Sequence, residues 1–436
     1  MNKGKTVAFS TLGCKVNQYD TDAVLTQFLE RGYRQVEFGA KADVYVINTC
    51  TVTNAADRKS RQMIRRAQKR NPNAKIVVMG CLSQIAPGET AAIAGVNLIV
   101  GTDQRGRVAE QVEALRNGAQ ISLVDDIFKV RDFEDLPALD FSGRTRATLK
   151  IQDGCDQFCT YCRVPFARGY SRSRPFQSIV EQARELVAAG FSEIVLTGIN
   201  LGLFGKDLIP VSNLEEISRS LADLPGLARL RISSVDPHEI TAGLLNLIAG
   251  HSTVCRHLHI PLQSGSDRIL KSMKRNYSRQ DFLDIVHQFR SLIPQGAITT
   301  DVMVGFPGET ERDFAETVEL VKAAGFSRVH VFRYSRRRGT AAARFKEQVP
   351  AAEKENRSSC LIEVSKDLAY KFHLSFLDRT VQVLVEEADR DFAVGLTDHY
   401  IRVKFPVEKG LDLLGKTVPV KITEVDSGGA LGRAVK

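Results

Sequence analysis

Short apolar runs separated by amphipathic stretches govern the first part of the chain. Runs at 6–10, 43–47 and 75–79 predict strands, and the stretches 20–31 and 55–70 space their apolar residues as helices do. Short strands alternating with helices build a parallel, doubly wound sheet. The alternation resumes six times further along, with strand candidates at 147–152, 193–197, 228–233, 256–261, 297–304 and 328–333. An internal echo marks the repeat: Ala188-Ala189-Gly190-Phe191-Ser192 returns as Ala323-Ala324-Gly325-Phe326-Ser327. In each copy a glycine can close a helix in the left-handed conformation before a strand begins. Six such units predict a partial (β/α)6 barrel, whose chemistry belongs at the carboxyl-end rim of the strands. From about residue 376 the period falls to two. Val381, Val383 and Val385 alternate with Gln382 and Leu384, and 400–405 and 418–422 also read as strands. That pattern predicts a small, OB-like β-barrel.

The fold class is therefore α/β: an N-terminal doubly wound parallel sheet, a central partial (β/α)6 barrel and a small C-terminal β-barrel. A stretch holding Asp132, Glu134, Asp135, Pro137, Asp140 and Gly143 breaks both periods and reads as a linker. The predicted divisions are 1–125, linker 126–144, 145–372 and 373–436. No apolar run is long enough to span a bilayer, so no membrane partner is expected. The opening Met1-Asn2-Lys3-Gly4-Lys5-Thr6 lacks the apolar core of a signal peptide, which makes a cytoplasmic location the expectation.

Cysteines add the chemistry. They stand at 14, 50, 81, 155, 159, 162, 255 and 360. Disulfides are rare in the cytoplasm, where spaced cysteines more often bind metal or act in catalysis. Cys155-Asp156-Gln157-Phe158-Cys159-Thr160-Tyr161-Cys162 has the spacing C-x3-C-x2-C just after the first barrel strand. Three thiolates can hold three corners of a [4Fe–4S] cubane and leave one iron open. An open iron can chelate the amino and carboxylate groups of S-adenosylmethionine (SAM), and an electron from the cluster then yields a 5′-deoxyadenosyl radical. The alternative is a zinc knuckle, but structural zinc takes four ligands and no histidine lies in this loop. Cys14, Cys50 and Cys81 each follow a strand of the first sheet. Loops at carboxyl strand ends form the ligand crevice of such sheets, so these three can converge as a second incomplete ligand set. One such cysteine alone would more often be a buried apolar residue. Cys255 and Cys360 have no ligand-spaced companions and read as structural, as do His257 and His259.

The net charge of +9 suits a polyanionic partner. Arg58, Lys59, Arg61, Arg65, Arg66, Lys69 and Arg70 share one helical stretch. Arg163, Arg168, Arg172 and Arg174 follow the cysteine motif, and Arg333, Arg336, Arg337 and Arg338 end a strand. Each cluster reads either as a solvated face or as a phosphate contact. Phe392, His399, Tyr400 and Phe405 are either base-stacking or core residues.

The Cys155–Cys162 motif, with aromatic Tyr161 before its third cysteine, resembles the radical SAM superfamily. The acidic residue of that family's glycine-rich second-strand motif is absent, since Thr197-Gly198-Ile199-Asn200 stands here, which leaves the SAM amine contact unassigned. Leu12-Gly13-Cys14-Lys15-Val16-Asn17-Gln18, Asn48-Thr49-Cys50-Thr51-Val52-Thr53 and Met79-Gly80-Cys81 look like the N-terminal domain of the methylthiotransferases. Gly154-Cys155 through Ser171-Arg172-Ser173-Arg174 is similar to their radical motif, and Tyr334-Ser335 with Gly339-Thr340 fits the end of their barrel, with Arg336 and Arg338 where prolines are common. The C-terminal segment resembles their RNA-binding TRAM domain. Lys15-Val16-Asn17-Gln18 and Cys50-Thr51-Val52-Thr53 look most like the branch that acts on threonylcarbamoyladenosine in tRNA; other branches act on isopentenyladenosine in tRNA or on a ribosomal protein aspartate.

The resemblance implies two [4Fe–4S] clusters, one on Cys155, Cys159 and Cys162 and an auxiliary one on Cys14, Cys50 and Cys81. It implies SAM contacts at Tyr161, Thr197, Gly198, Ser233 and Gln263, and RNA contacts at Arg61, Arg65, Arg336, Arg337, Arg338 and Tyr400. It implies tRNA as partner, an electron donor such as flavodoxin or ferredoxin, and a sulfur donor. One SAM methylates sulfur at the auxiliary cluster, and the radical from the other abstracts hydrogen from carbon 2 of the adenine. No acid–base residue is expected to replace the radical at an unactivated carbon, so no catalytic side chain is assigned beyond the clusters.

Overall fold

The computed structural model describes residues 4–51, 53–116, 118–138, 143–407 and 411–435, so Val52 and Asp140 of the motifs above lie outside the described residues. Strands β1 (Thr6–Thr11), β2 (Arg34–Val36), β3 (Val44–Thr49), β4 (Lys75–Gly80), β5 (Val96–Val100) and β6 (Ile121–Leu123) form one all-parallel sheet in the order β2-β1-β3-β4-β5-β6. The pleat sends Val44, Val46, Val77 and Met79 to one apolar layer and Tyr45, Ile47, Ile76 and Val78 to another, which is why both faces of the sheet are covered. The strand order reverses between β1 and β3, where such sheets open a crevice. Cys14 follows β1 and Cys50 follows β3, so both flank that crevice, and Cys81 follows β4 beside them.

Helix α1 (Lys15–Glu30) begins five residues before the predicted start at 20. Its buried face carries Asn17, Asp20, Thr21 and Asp22 as well as apolar residues, and these polar groups obscure the helical period in the sequence. Helix α2 (Asn54–Arg70) follows its pattern: Thr53 caps it by accepting from the backbone N–H of Ala56, and Ser60, Ile64 and Ala67 face inward.

The central unit contains β7 (Arg146–Lys150), an antiparallel pair of two-residue strands β8 (Gln152–Asp153) and β9 (Arg172–Ser173), then β10 (Glu193–Thr197), β11 (Arg229–Ile232), β12 (His257–His259), β13 (Ala297–Val304) and β14 (Arg328–Arg333). Parallel sheets β11-β10-β7 and β12-β13-β14 meet through bridges Leu230–Val254 and Ser234–His259, giving the expected six-stranded partial barrel. Leu149, Ile194, Leu196, Leu230, Ile232, Leu258, Ile260, Val302 and Val304 pack outward under the helices. The alternate residues are mostly polar: Arg146, Thr148 and Lys150, Glu193 and Thr197, Arg229, Arg231 and Ser233, His257 and His259, Thr299 and Asp301. The barrel is lined for polar ligands. Helix Ala351–Leu374 covers edge strand β14, with Ser365 Oγ accepting from the Val329 N–H at 3.1 Å.

Strands β15 (Thr380–Ala388), β16 (Phe392–Thr397), β17 (Arg402–Pro406), β18 (Thr417–Val425) and β19 (Ala430–Ala434) close into a barrel in the order β15-β16-β17-β19-β18. It docks on the amino-end side of the central strands: Arg229 donates to the carbonyls of Leu396 (2.9 Å) and Gln382 (2.6 Å), and Arg231 to those of Thr397 (3.0 Å) and Asp398 (3.1 Å).

The predicted linker carries little regular structure, yet its described part is bound at both sides. Glu134 accepts from Arg105 Nε (2.7 Å) and the Gly106 N–H (2.9 Å), Asp135 pairs with Arg174 (2.7 Å), and the Leu136 carbonyl accepts from Tyr19 Oη (2.8 Å). No helix among the described residues is long and apolar enough to cross a membrane.

Candidate active site

Each auxiliary cysteine is set by a short backbone device. Gly13 has φ +108°, and a Cβ there would stand 2.9 Å from Cys50 Cβ and 3.0 Å from its Sγ. Only glycine allows the Cys14 and Cys50 loops to lie this close. Gly80 has φ +95°, and a Cβ there would meet Asn48 Oδ1 at 2.3 Å. Cys14 is the N-cap of α1, and Cys81 starts the short helix Cys81–Ile85. Asn17 joins all three loops. Its Nδ2 donates to the carbonyls of Leu12 (2.7 Å) and Thr49 (3.0 Å), and its Oδ1 lies 3.9 Å from Cys81 Sγ.

The second trio lies on the loop held by β8 and β9. Gly154 (φ +75°) leaves no room for a Cβ, which would stand 1.9 Å from the Tyr170 carbonyl oxygen. The Cys155 N–H donates to the Gly169 carbonyl (3.0 Å) and the Cys162 N–H to the Cys159 carbonyl (2.9 Å). Arg275 Nη1 donates to Cys159 Sγ (3.4 Å) and Gln157 Oε1 (3.2 Å), and the same guanidinium pairs with Asp236. Burial pushes the Cys81, Cys155 and Cys162 thiols up to about 12, so iron bound at these thiols would displace their protons. Among the described residues no three His, Cys, Asp or Glu side chains converge on a single metal ion. Thiolates that each take a different iron of a cubane need no such convergence, whereas a zinc knuckle does.

Two arginines tie the N-terminal cysteine loops to the central barrel. Arg168, 1% exposed, donates from Nη2 to Asn17 Oδ1 (2.6 Å) and from Nη1 to both carboxylate oxygens of Asp153 (2.9 Å each). Arg337, 4% exposed, donates to Thr51 Oγ1 (2.6 Å) and Asp57 (2.7 Å), and so holds the residue after Cys50. Arg337 therefore faces the N-terminal domain and not solvent, which reassigns its expected RNA contact to domain closure. Arg172 and Arg174 are buried as well, so these two and Arg168 form neither a solvated face nor a phosphate site, while Arg163 of the same cluster is half-buried. Burial of an arginine needs anionic or carbonyl partners brought by distant segments, and no local pattern announces them.

Thr197 ends β10, Gly198 follows it, and Ser233 follows β11. A Cβ on Gly198 would stand 2.9 Å from Oε1 of Gln152, which accepts the N–H groups of Ile199 and Asn200 (2.9 Å each). Tyr161 leans on an apolar cluster of Ile269, Met273, Phe306 and Tyr334. Gln263 has a left-handed backbone (φ 64°) on the loop bridged to Val302. The rim also holds acceptors that the sequence did not single out. Glu239 Oε2 and Asn200 Oδ1 are buried and have no hydrogen-bond partner among the described residues. They lie beside the cysteine loop, since neighbouring His238 Nε2 is 3.4 Å from Gln157 Nε2. Orphaned buried acceptors call for a donor, and an ammonium group such as that of SAM fits them.

The remaining RNA candidates divide. Arg58, Arg65, Arg66, Lys69 and Arg70 are exposed on one face of α2 and make no ion pair among the described residues, while Arg61 pairs with Glu89 at 2.6 Å. Arg336 and Arg338 are exposed around a surface depression with Gly339, Thr340 and Arg344. Tyr400 points into the central barrel, stacked on His257 at 4.9 Å with Arg231 over its ring at 4.8 Å, and so does not face outward as an RNA platform. Phe405 is core and His399 packs on Phe376. Phe392 is 41% exposed, with Lys404 Nζ 4.2 Å above its ring.

Comparison with known proteins agrees with this geometry. Residues 149–321 match the model of the Radical SAM superfamily, and residues 6–101 that of Uncharacterized protein family UPF0004. TsrM, a radical SAM methyltransferase from Kitasatospora setae solved with cobalamin and a [4Fe–4S] cluster, superposes with a TM-score of 0.56 at 15% identity over 76% of this chain and 75% of that one, a likeness of fold. A Bacillus subtilis protein, threonylcarbamoyladenosine tRNA methylthiotransferase MtaB, is 44% identical over 96% of this chain and 93% of its own length. The Thermotoga maritima protein of the same name is 38% identical over 92% and 91%. A Clostridium tetani tRNA-2-methylthio-N(6)-dimethylallyladenosine synthase is 36% identical over 100% and 97%. The chain belongs to the radical SAM methylthiotransferases, the enzyme family of these tRNA-modifying relatives, and with that family it shares the use of a [4Fe–4S] cluster and SAM.

Proposed function

We propose that this enzyme transfers a methylthio group to carbon 2 of threonylcarbamoyladenosine next to the anticodon of tRNA. The observation that carries the reading is the hydrogen bonding of the N-terminal cysteine loops to the central barrel through Asn17–Arg168 and Thr51–Arg337. Cys155, Cys159 and Cys162 would hold the cluster that binds SAM, and Cys14, Cys50 and Cys81 the auxiliary cluster. When bound, these groups supply the electron, the 5′-deoxyadenosyl radical and the sulfur. The protein's own part is positioning. Arg275 donates to Cys159 Sγ and fixes the loop, Gln152 shapes the Gly198 turn, and Glu239 and Asn200 accept from the SAM ammonium. Tyr161, Thr197, Gly198, Ser233 and Gln263 complete the SAM wall. Both trios must face the same base, because reacting atoms have to approach to roughly 3–3.5 Å, and a base in a folded loop must be splayed out to enter.

Arg58, Arg65, Arg66, Lys69 and Arg70, with Arg336 and Arg338, would bind phosphates, and Phe392 with Lys404 offers a stacking platform on the C-terminal barrel. Reduction falls to a donor such as flavodoxin or ferredoxin, and replacement sulfur comes from a separate donor, all in the cytoplasm. The test is anaerobic turnover of the reconstituted enzyme on tRNA bearing threonylcarbamoyladenosine, read by mass spectrometry of nucleosides. The expected result is the 2-methylthio nucleoside with 5′-deoxyadenosine. Cleavage of SAM with no change in that nucleoside would reject the proposal.

A further inference from the structure

Lys15 directly follows Cys14 and is the first residue of α1, so its stem is fixed at the mouth of the central barrel. Its ammonium reaches across the domain boundary to Ser233 Oγ at 3.4 Å. The residue is exposed, yet the protein surrounding its ammonium lowers its pKa, and Arg146, Glu193, Arg231 and Tyr400 on the barrel lining lie within electrostatic range. The other lining cations are already matched. Arg231 pairs with Glu193 at 2.8 Å and donates to two carbonyls of the C-terminal barrel, and Arg146 pairs with Glu386 at 2.6 Å. Lys15 makes no ion pair among the described residues, and its single hydrogen bond is a long one to a hydroxyl. An ammonium with no ion pair among the described residues, next to Cys14 and reaching the barrel rim at Ser233, is suited to an anionic group on the molecule that enters there.

Resting on the function proposed above, we infer that Lys15 binds the carboxylate of the threonylcarbamoyl group and thereby selects the carboxylated base. The cluster held by Cys155, Cys159 and Cys162 would take up the carboxylate of SAM at its open iron, so the carboxylate that Lys15 is placed to neutralise is the substrate's. The reach from Cys14 to Ser233 puts that contact beside the auxiliary trio and leaves the adenine ring to the space between the trios. An isopentenyl base has no anion for Lys15 to meet, so the same lysine would face it unpaired and disfavour it. Lys15 acts here as a specificity residue and takes no part in bond breaking.

The experiment compares two synthetic anticodon stem-loops, one with threonylcarbamoyladenosine and one in which its carboxylate is a neutral methylamide. Affinity and kcat/KM are measured for the reconstituted wild type, Lys15→Met and Lys15→Arg. A charge-assisted hydrogen bond predicts that the wild type prefers the carboxylate about 10- to 100-fold. Lys15→Met should bring that ratio close to one, and Lys15→Arg should keep most of it. Because the readout is a ratio within one enzyme, a general loss of folding or of iron cancels. A wild-type ratio near one, or a Lys15→Met ratio equal to the wild type's, overturns the inference alone. If the wild type methylthiolates neither stem-loop, the functional reading falls, and the inference with it.

Discussion

Single side chains decide how the cysteine loops of the two domains are held together. Asn17 uses both ends of its amide, donating to the carbonyls before Cys14 and Cys50 and accepting from Arg168. An apolar residue there would leave three buried groups unmatched, at about 1–3 kcal/mol each. Glu239 shows a different balance. Burial raises its carboxyl to about 7, and nearby Asp236 adds to the rise against Lys206, Asn200 and Arg275. A carboxyl raised in the folded state stabilises fully below its unfolded value, and that contribution is lost as pH climbs through the folded one. The window here runs from about 4.5 to about 7. Glu239→Gln, which keeps the neutral shape, should match the wild type in thermal melts of the metal-free protein at pH 4.5. At pH 8 it should be more stable by about 1–2 kcal/mol after allowance for partial solvation. At pH 8, where the wild-type carboxyl is charged, it should bind SAM more weakly once reconstituted. Equal melting temperatures at pH 8 would show that Glu239 is satisfied by water and is not poised for a cation.

At the scale of elements, helix α2 presents one buried face and one cationic face. Ser60, Ile64 and Ala67 fix its rotation against the sheet, which leaves Arg58, Arg65, Arg66, Lys69 and Arg70 outward. Each phosphate contact contributes about 0.7–0.9 to the slope of log affinity against log salt. Arg65→Ala, Arg66→Ala and Arg70→Ala together should lower the slope for tRNA by about 2–3, with melting temperature unchanged because none of the three is buried. A slope equal to the wild type's would move the RNA surface elsewhere. This helix was readable in sequence because its apolar period is strict and its cap is local. The six barrel strands were readable for the same reason, since Leu149, Leu196, Ile232 and Ile260 alternate with polar partners. What the alternation concealed was the meaning of those partners. Arg168, Arg172, Arg174 and Arg337 look like surface charge in a linear string, yet each is buried by segments distant in sequence. Strands β2, β5 and β6 also escaped notice. Arg34–Val36 and Ile121–Leu123 are three-residue edge strands, too short to show a period, and Val96–Val100 follows only a short helix. Tyr400 looked like a free aromatic platform because the stacking partner that removes it, His257, lies in another domain.

For the molecule as a whole, the relation between the two cysteine loops depends on how the N-terminal domain is seated on the central barrel. The seat is a closed knot of charge. Arg105, Lys150 and Arg168 face Asp20, Asp153 and Glu134, three cations against three anions, and none of the six side chains is more than 15% exposed. Asp20 belongs to α1 and contacts all three cations: it pairs with Arg105, lies 2.8 Å from Lys150 and 2.8 Å from Arg168. Burial by itself would raise the Asp20 carboxyl, but Arg105, Lys150 and Arg168 together hold it down at about 2. Its contribution is therefore present above the unfolded value of 3.8 and fades as pH falls towards about 2. Replacing such a network by apolar residues can be neutral, whereas removing one member leaves buried charge unmatched at a cost of about 3–5 kcal/mol. Asp20→Ala should lose that amount in urea unfolding at pH 7, and its acid-unfolding curve should be flatter than the wild type's between pH 4 and pH 2. Arg105→Ala should cost a similar amount. The double variant Asp20→Ala/Arg105→Ala should lose less than the two single losses combined, because each change removes the charge that the other leaves unpaired. Strict additivity, with an unchanged acid limb, would mean that water enters the seat and that the two cysteine trios are held together by Asn17 and Thr51 alone. In that case iron loading of the auxiliary trio would survive Asp20→Ala. With a dry seat, Asp20→Ala should lose auxiliary iron while the Cys155–Cys162 loop, fixed by Gly154 and Arg275 within its own domain, retains its share.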